Sequence, residues 1–224
     1  MTYDFAYPND LVFYVKYHIK PGYEKEFQDR LLEVIDHVQK EDSFVSAFVH
    51  QYEEDTERFS MYERWKVSSK NAFMSYQMDD KAYRKEYEKR LPEISETPRK
   101  IHLLKPIAGW MSGSKGPSDS DLVFYVNFHL KPDMADEWKS AAMDVLDKMA
   151  QEDNFVCTFL HQDEEDPSRF TIYERWNEPS LEALEKNHEK AEEYHKVYKN
   201  LLPNLLQSVR TFRVLEPFGS FRKR

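Results

Sequence analysis

The feature that most constrains this chain is that it is written twice. LVFYV begins at Leu11 and again at Leu122, and YERW begins at Tyr62 and again at Tyr173, 111 residues apart in both cases. The offset holds without a gap from Asp10/Asp121 to Pro106/Pro217. Over that span about four positions in ten are identical, well beyond coincidence and the mark of a tandem duplication. Each copy is large enough to fold as a domain. The expected organisation is a first repeat over 1–107, a linker over 108–120 and a second repeat over 121–224. The linker, AGWMSGSKGPSDS, is rich in the Gly, Ser and Pro that mark flexible connections.

One copy reads as βαββαβ. In DLVFYVKYHIK, Leu11, Phe13, Val15, Tyr17 and Ile19 alternate with Val12, Tyr14, Lys16 and His18, the period of a strand. Pro21-Gly22 ends it. Phe27, Leu31, Val34, Ile35 and Val38 then recur at helical spacing. FVSAFVHQ and RFSMYERW flank the acidic turn YEEDTE and predict a hairpin. Ser69 is placed to cap a second helical stretch, with a break near Asp79-Asp80. KIHLLKP, or TFRVLEP in the second copy, is the last strand, expected to stop at its proline.

That order is the ferredoxin-like split βαβ arrangement, an α+β fold with both helices on one sheet face. The other face still carries Val12 and Tyr14, or Val123 and Tyr125, so something must cover it. The expectation is that the antiparallel sheets of the two repeats pack into an α+β barrel within one chain, a pseudo-dimer. Pairing of whole chains into a further homodimer stays open.

Composition excludes several classes. The net charge is −9 and the only basic run is Arg222-Lys223-Arg224, which argues against nucleic acid and against an anionic membrane surface. No apolar run approaches the ~20 residues of a membrane span. The N-terminus has no basic segment followed by an apolar one, so a cytoplasmic protein is expected. Cys157 is the only cysteine, which removes intrachain disulfides and multi-Cys zinc sites. With only 5 Gly there is no glycine-rich phosphate loop. Aromatics make up 15% of the chain, enough for a thick core or an aromatic-lined pocket.

Some residues invite chemistry. Glu63/Glu174 and Trp65/Trp176 are two apart and share a strand face. A buried carboxylate there is either paired with an Arg or the backbone, or is a base with a raised pKa. His50/His161 and His18/His129 occur in both copies at strand ends, as structural histidines or proton shuttles. The copies differ most in the second helical region, where His188 and His195 stand opposite Gln77 and Arg84. Asn127 stands opposite Lys16, and Tyr83/Tyr194 and Tyr87/Tyr198 are shared. His188 and His195 are two helical turns apart, ~10 Å along the axis, too far to chelate one ion, so no metal site is expected.

Taken together these residues resemble the antibiotic biosynthesis monooxygenase family, within the dimeric α+β barrel superfamily. The resemblance rests on Lys20-Pro21-Gly22 and Lys131-Pro132, and on Phe48/Gln51 and Phe159/Gln162 of the second strand. It rests further on the acidic turn, Phe59/Phe170, Glu63-Arg64-Trp65 and Glu174-Arg175-Trp176, and a His-bearing helix with Leu-Pro near its end. It covers nearly all of both copies.

The resemblance implies a cofactor-independent monooxygenase acting with O2 on a small aromatic or enolisable substrate. His188, His195 and Glu174 would be catalytic. Asn127, Trp176, His161 and Tyr194 would bind substrate, in a single competent site in the second copy. Two alternatives stand beside it. One is a haem-degrading protein with His195 as axial ligand and Asn127 as distal polar group. The other is a non-catalytic protein that binds a small ligand.

Overall fold

A computed structural model describes residues 10–67, 69–79, 81–187 and 192–223. The first repeat contributes β1 (Leu11–Ile19), α1 (Glu24–Val38), β2 (Phe44–Tyr52), β3 (Asp55–Trp65), α2 (Lys70–Met74), α3 (Ala82–Ile94) and β4 (Ser95–Met111). The second contributes β5 (Leu122–His129), α4 (Ala135–Met149), β6 (Phe155–Asp163), β7 (Arg169–Trp176), α5 (Leu181–Asn187), α6 (Glu192–Leu205) and β8 (Thr211–Arg222). The expected βαββαβ order is present twice, with the second helix of the first repeat in two pieces. In the first repeat a π-helical turn, Ser75–Asp79, separates α2 from α3. The hydrogen-bonded strand order, β1-β3-β2-β8-β5-β7-β6-β4, closes on itself through antiparallel pairing of β4 with β1, giving the expected eight-stranded α+β barrel.

Local chemistry sets the boundaries. Ser69 accepts a hydrogen bond from the Ala72 N–H (3.2 Å), and Ser180 does the same for Ala183 (3.2 Å), capping α2 and α5. The turn after β1 needs a left-handed residue. The first copy supplies Gly22 (φ 87°), and the second supplies Asp133 (φ 64°), a residue type that tolerates this region.

β4 and β8 run further than expected. Neither Pro106 nor Pro217 ends its strand: β4 continues to Met111, taking in the first four residues read as linker, and β8 continues to Arg222. A proline forfeits one N–H without ending a strand whose other groups stay paired. The chain accordingly forms two compact units that divide both strands. One holds the first repeat up to Leu104 together with 216–223; the other holds Lys105–Leu215.

In the first unit, α1 buries Phe27, Leu31, Val34, Ile35 and Val38, the stripe read from the sequence. They meet Phe13, Val15, Tyr17, Met61 and Trp65 on the facing side of the sheet, and Phe218 and Phe221 of β8 pack against the same core. The Lys223 N–H bonds the Val45 carbonyl (3.0 Å), tying the end of the chain to β2. A side chain at Gly219 would stand 2.6 Å from the Phe221 ring and 2.9 Å from Val49 Cγ2, which explains a glycine there.

The second unit is built the same way. Trp138, Ala142, Val145, Leu146 and Met149 of α4 face Phe124, Val126, Phe128, Ile172 and Trp176. Trp110 of β4 is buried in this core and donates its indole N–H to Asp147 (2.6 Å). Ser112 bonds Val156 (2.8 Å), anchoring the end of β4 beside β6.

Candidate active site

In the second unit the register pairs Phe124 with Glu174 and Val126 with Ile172, so alternate residues of β5 and β7 face the helices. Between that sheet face and α4, α5 and α6 lies a cavity of about 340 Å³. Its sheet wall is Phe124, Val126, Phe128, Ile172, Trp176 and Phe212. Its polar groups are few: Glu174, Glu185, His195, Tyr198, Lys199 and Arg210. An apolar chamber with a few convergent polar groups is the ordinary form of a small-molecule site.

Glu174 is the central ionisable group. It is partly buried, and its Oε2 accepts a hydrogen bond from the Trp176 indole N–H (3.3 Å). Burial raises its pKa from 4.5 to about 7, against the opposing pull of that hydrogen bond and of the Arg210 charge. A carboxyl that titrates near neutrality exchanges protons with a substrate at working pH.

The first unit holds the same constellation with its cavity nearly filled. There the open space is about 70 Å³. Glu63 is buried, accepts from the Trp65 indole N–H (3.1 Å), and is likewise raised by burial, with Arg84 and Arg99 pulling the other way. Position by position, the exchanges explain the difference in volume. Ala142 stands for Leu31, Leu184 for Phe73, His195 for Arg84 and Phe128 for Tyr17.

In the first unit Arg84 lies over the Phe73 ring (5.7 Å), and its Nε donates to Gln77 Oε1 (3.3 Å). Gln77 in turn donates to Glu41, which also accepts from the Tyr83 hydroxyl (2.7 Å). This buried polar chain plugs the space that is open in the second unit.

The sequence-predicted residues divide accordingly. Glu174, Trp176 and His195 line the cavity. His188 lies outside the described residues. Tyr194 stands to one side, lining a groove with Val145 and Tyr198, its hydroxyl donating to Glu152 as Tyr83 does to Glu41. Asn127 and His161 are on the sheet face turned away from the helices, because they sit one residue out of phase with Val126 and Leu160. Asn127 donates to the Thr211 hydroxyl (3.0 Å) instead. His195 and Asn127 are therefore on opposite sides of the sheet, and the pair that a haem site would need is not assembled. Among the described residues no group of three or more His, Cys, Asp or Glu is arranged to hold a metal ion.

Arg210, Lys199, Ala142 and Leu184 were missed by sequence reasoning. Their signal lay in the gapless alignment of the copies, at Glu88/Lys199, Leu31/Ala142 and Phe73/Leu184. Among the described residues no helix is long and apolar enough to cross a membrane.

Comparison with known proteins agrees with the duplicated fold. The model of the family described as antibiotic biosynthesis monooxygenase matches residues 11–78 and again 122–200. Among solved structures, the "Putative monooxygenase" of Fusobacterium nucleatum superposes with a TM-score of 0.81 at 13% identity, covering 97% of this chain and 96% of that one. A second protein described in the same words, from Lactobacillus acidophilus, gives 0.76 at 12% identity over 96% of each chain. An anthrone oxidase-like protein gives 0.68 at 14% identity, covering 98% of this chain and 94% of that one. At these identities the likeness is one of fold. No curated protein matches the chain.

Proposed function

This chain belongs to the antibiotic biosynthesis monooxygenase family, and from that premise we propose that it is a cofactor-independent monooxygenase for a small aromatic, enolisable substrate. Its working site is the cavity of the second repeat. The observation that carries this reading is the carboxyl group of Glu174, raised to about 7 on a cavity wall whose other strand residues, Phe124, Val126, Phe128, Ile172, Trp176 and Phe212, are aliphatic or aromatic.

The reaction asks little of the protein. Ionised Glu174 takes a proton from a CH2 conjugated with a carbonyl, either adjacent to it or across the ring as in anthrone, leaving an electron-rich enolate. The enolate passes an electron to O2, and the resulting radical and superoxide combine into a C–O bond. The peroxide anion takes a proton from Glu174. Loss of the second C–H proton then breaks the O–O bond, giving a ketone and one water. Overall, CH2 and O2 become C=O and H2O. The chain's residues bind the ring, hold the base and exclude bulk water. The Trp176 indole N–H fixes the carboxylate's position, and His195 adds a second proton-carrying group on the helix side.

The test is oxygen consumption with anthrone as probe substrate, with product oxygen traced from labelled O2. Turnover by the wild type and its loss in Glu174→Gln, with the fold intact, support the reading. Turnover unchanged in Glu174→Gln, or uptake of label from water rather than O2, overturns it. Addition of haemin separates the haem alternative: a Soret shift lost in His195→Ala would favour that alternative.

A further inference from the structure

The second repeat keeps two polar side chains of the first but not the polar groups that stand beside them there. In the first unit Arg99 forms an ion pair with Glu88 (2.7 Å), and Tyr17 and Tyr87 hold their hydroxyls side by side. The corresponding residues of the second unit are Arg210 with Lys199, and Phe128 with Tyr198. The position that holds the arginine's carboxylate in the first repeat thus carries a second cation, and the position of the tyrosine's neighbouring hydroxyl carries a bare ring.

All four line the open cavity. Among the described residues neither Arg210 nor Lys199 forms an ion pair; Glu185, the other charged group at this wall, pairs with neither. The Tyr198 hydroxyl is buried and has no hydrogen-bond acceptor; the neighbouring Trp138 indole N–H can only donate to it.

A partly buried guanidinium with no ion-pair partner among the described residues, at a cavity wall that also carries an exposed ammonium and a buried hydroxyl without an acceptor, is an incomplete arrangement. What completes it is an anion with at least two acceptor oxygens, which a guanidinium receives through paired N–H donors. We propose that the substrate carries a carboxylate, bound by Arg210 and Lys199 with Tyr198 donating its hydroxyl. The ring of the substrate then lies against Phe124, Phe128 and Trp176, towards Glu174. The substrate class becomes an aromatic, enolisable carboxylic acid. The charged group serves as a remote handle whose binding energy orients the reacting carbon. This inference rests on the cavity's being the substrate site, as proposed above.

Binding is measured by calorimetry, with no turnover required. The probes are 2-naphthoate and the neutral 2-naphthalenemethanol, at low and moderate salt. The wild type is expected to bind the acid at least tenfold more tightly than the alcohol, with the preference shrinking as salt rises. Arg210→Gln should remove most of that preference and leave the alcohol's affinity unchanged. Lys199→Glu rebuilds the ion pair of the first repeat, and it should abolish the preference on an unaltered fold. Tyr198→Phe should weaken the acid more than the alcohol.

Equal affinity for acid and alcohol in the wild type overturns the proposal, as does a preference that survives both Arg210→Gln and Lys199→Glu. The oxygenase reading fails separately: Glu174→Gln should bind 2-naphthoate at least as well as wild type. Acid-selective binding without any O2 consumption would reject the reaction and keep the anion site.

Discussion

Replacing Glu174 by Gln tests the chemistry through stability, before any substrate is known. The wild-type carboxyl has a pKa of about 7 in the folded chain against 4.5 when solvated. Between those values the folded state holds a proton that the unfolded state has released. Stability therefore falls as pH rises across that window, because deprotonation leaves a charge in a poorly solvated place. At about 1.4 kcal/mol per tenfold change in proton affinity, the full loss is about 3 kcal/mol, reached once the pH exceeds 7. Water that reaches the exposed edge of the carboxyl trims this towards about 2 kcal/mol.

Gln has nearly the same shape, accepts the Trp176 N–H in the same way, and does not titrate. Urea unfolding of both proteins at pH 5 and pH 8.5 isolates the term, since every other titration is common to the pair. The variant should gain about 2–3 kcal/mol on the wild type between the two pH values. A difference that stays within ~0.5 kcal/mol would mean Glu174 titrates as an ordinary carboxylate, and the base would have to be sought elsewhere. A change of opposite sign would mean that a counter-charge stabilises the anion. In the active enzyme the same ionisation should appear as a kcat/KM that rises with pH through about 7.

Three further outcomes are expected. His195→Ala, and equally His188→Ala, should abolish turnover while Gln77→Ala and Arg84→Ala leave it intact, with ligand titration saturating at one equivalent per chain; two equivalent sites would refute the assignment to one repeat. Trp65→Ala and Trp176→Ala should each cost ~3–5 kcal/mol by denaturant titration, because both rings are fully enclosed; unchanged unfolding midpoints would contradict that burial. Ala142→Leu restores the first repeat's residue, and it should cut ligand affinity at least tenfold without lowering the melting temperature, whereas a lower melting temperature would show that the cavity cannot accept the extra methyl groups.

Much of the fold could be read from the sequence because its signals are local and occur twice. The alternation in LVFYVKYHI and the stripe Phe27-Leu31-Val34-Ile35-Val38 fixed β1 and α1, and Ser69 fixed a cap. What could not be read was non-local. Whether a strand outlasts Pro106 depends on whether another strand is there to pair its neighbours, and that partner is β6, in the other repeat. Cavity lining was legible where face and period sufficed, at Glu174, Trp176 and His195. Asn127 and His161 lie on the other sheet face because strand phase, not polar character, sets the face: each is one residue out of step with the helix-facing Val126 and Leu160.

The residues with most to say about specificity are those whose partners changed between the copies. Arg99 and Arg210 are the same residue in the same place, and no reading of either alone separates a structural ion pair from a ligand group. The neighbour decides. With Glu88 beside it, the arginine is satisfied and the cavity around Glu63 stays nearly closed, packed by Leu31, Phe73 and Arg84. With Lys199 beside it, and Ala142, Leu184 and His195 at those three positions, the same scaffold is left with volume and uncompensated charge together. Opening a core without a ligand costs stability, and so does leaving a cation unpaired within it. A single bound molecule with an apolar body and an anionic end relieves both costs. The coincidence of the two defects at one site, against their joint absence in the other copy, is therefore the strongest physical reason to regard the second repeat as the one that binds.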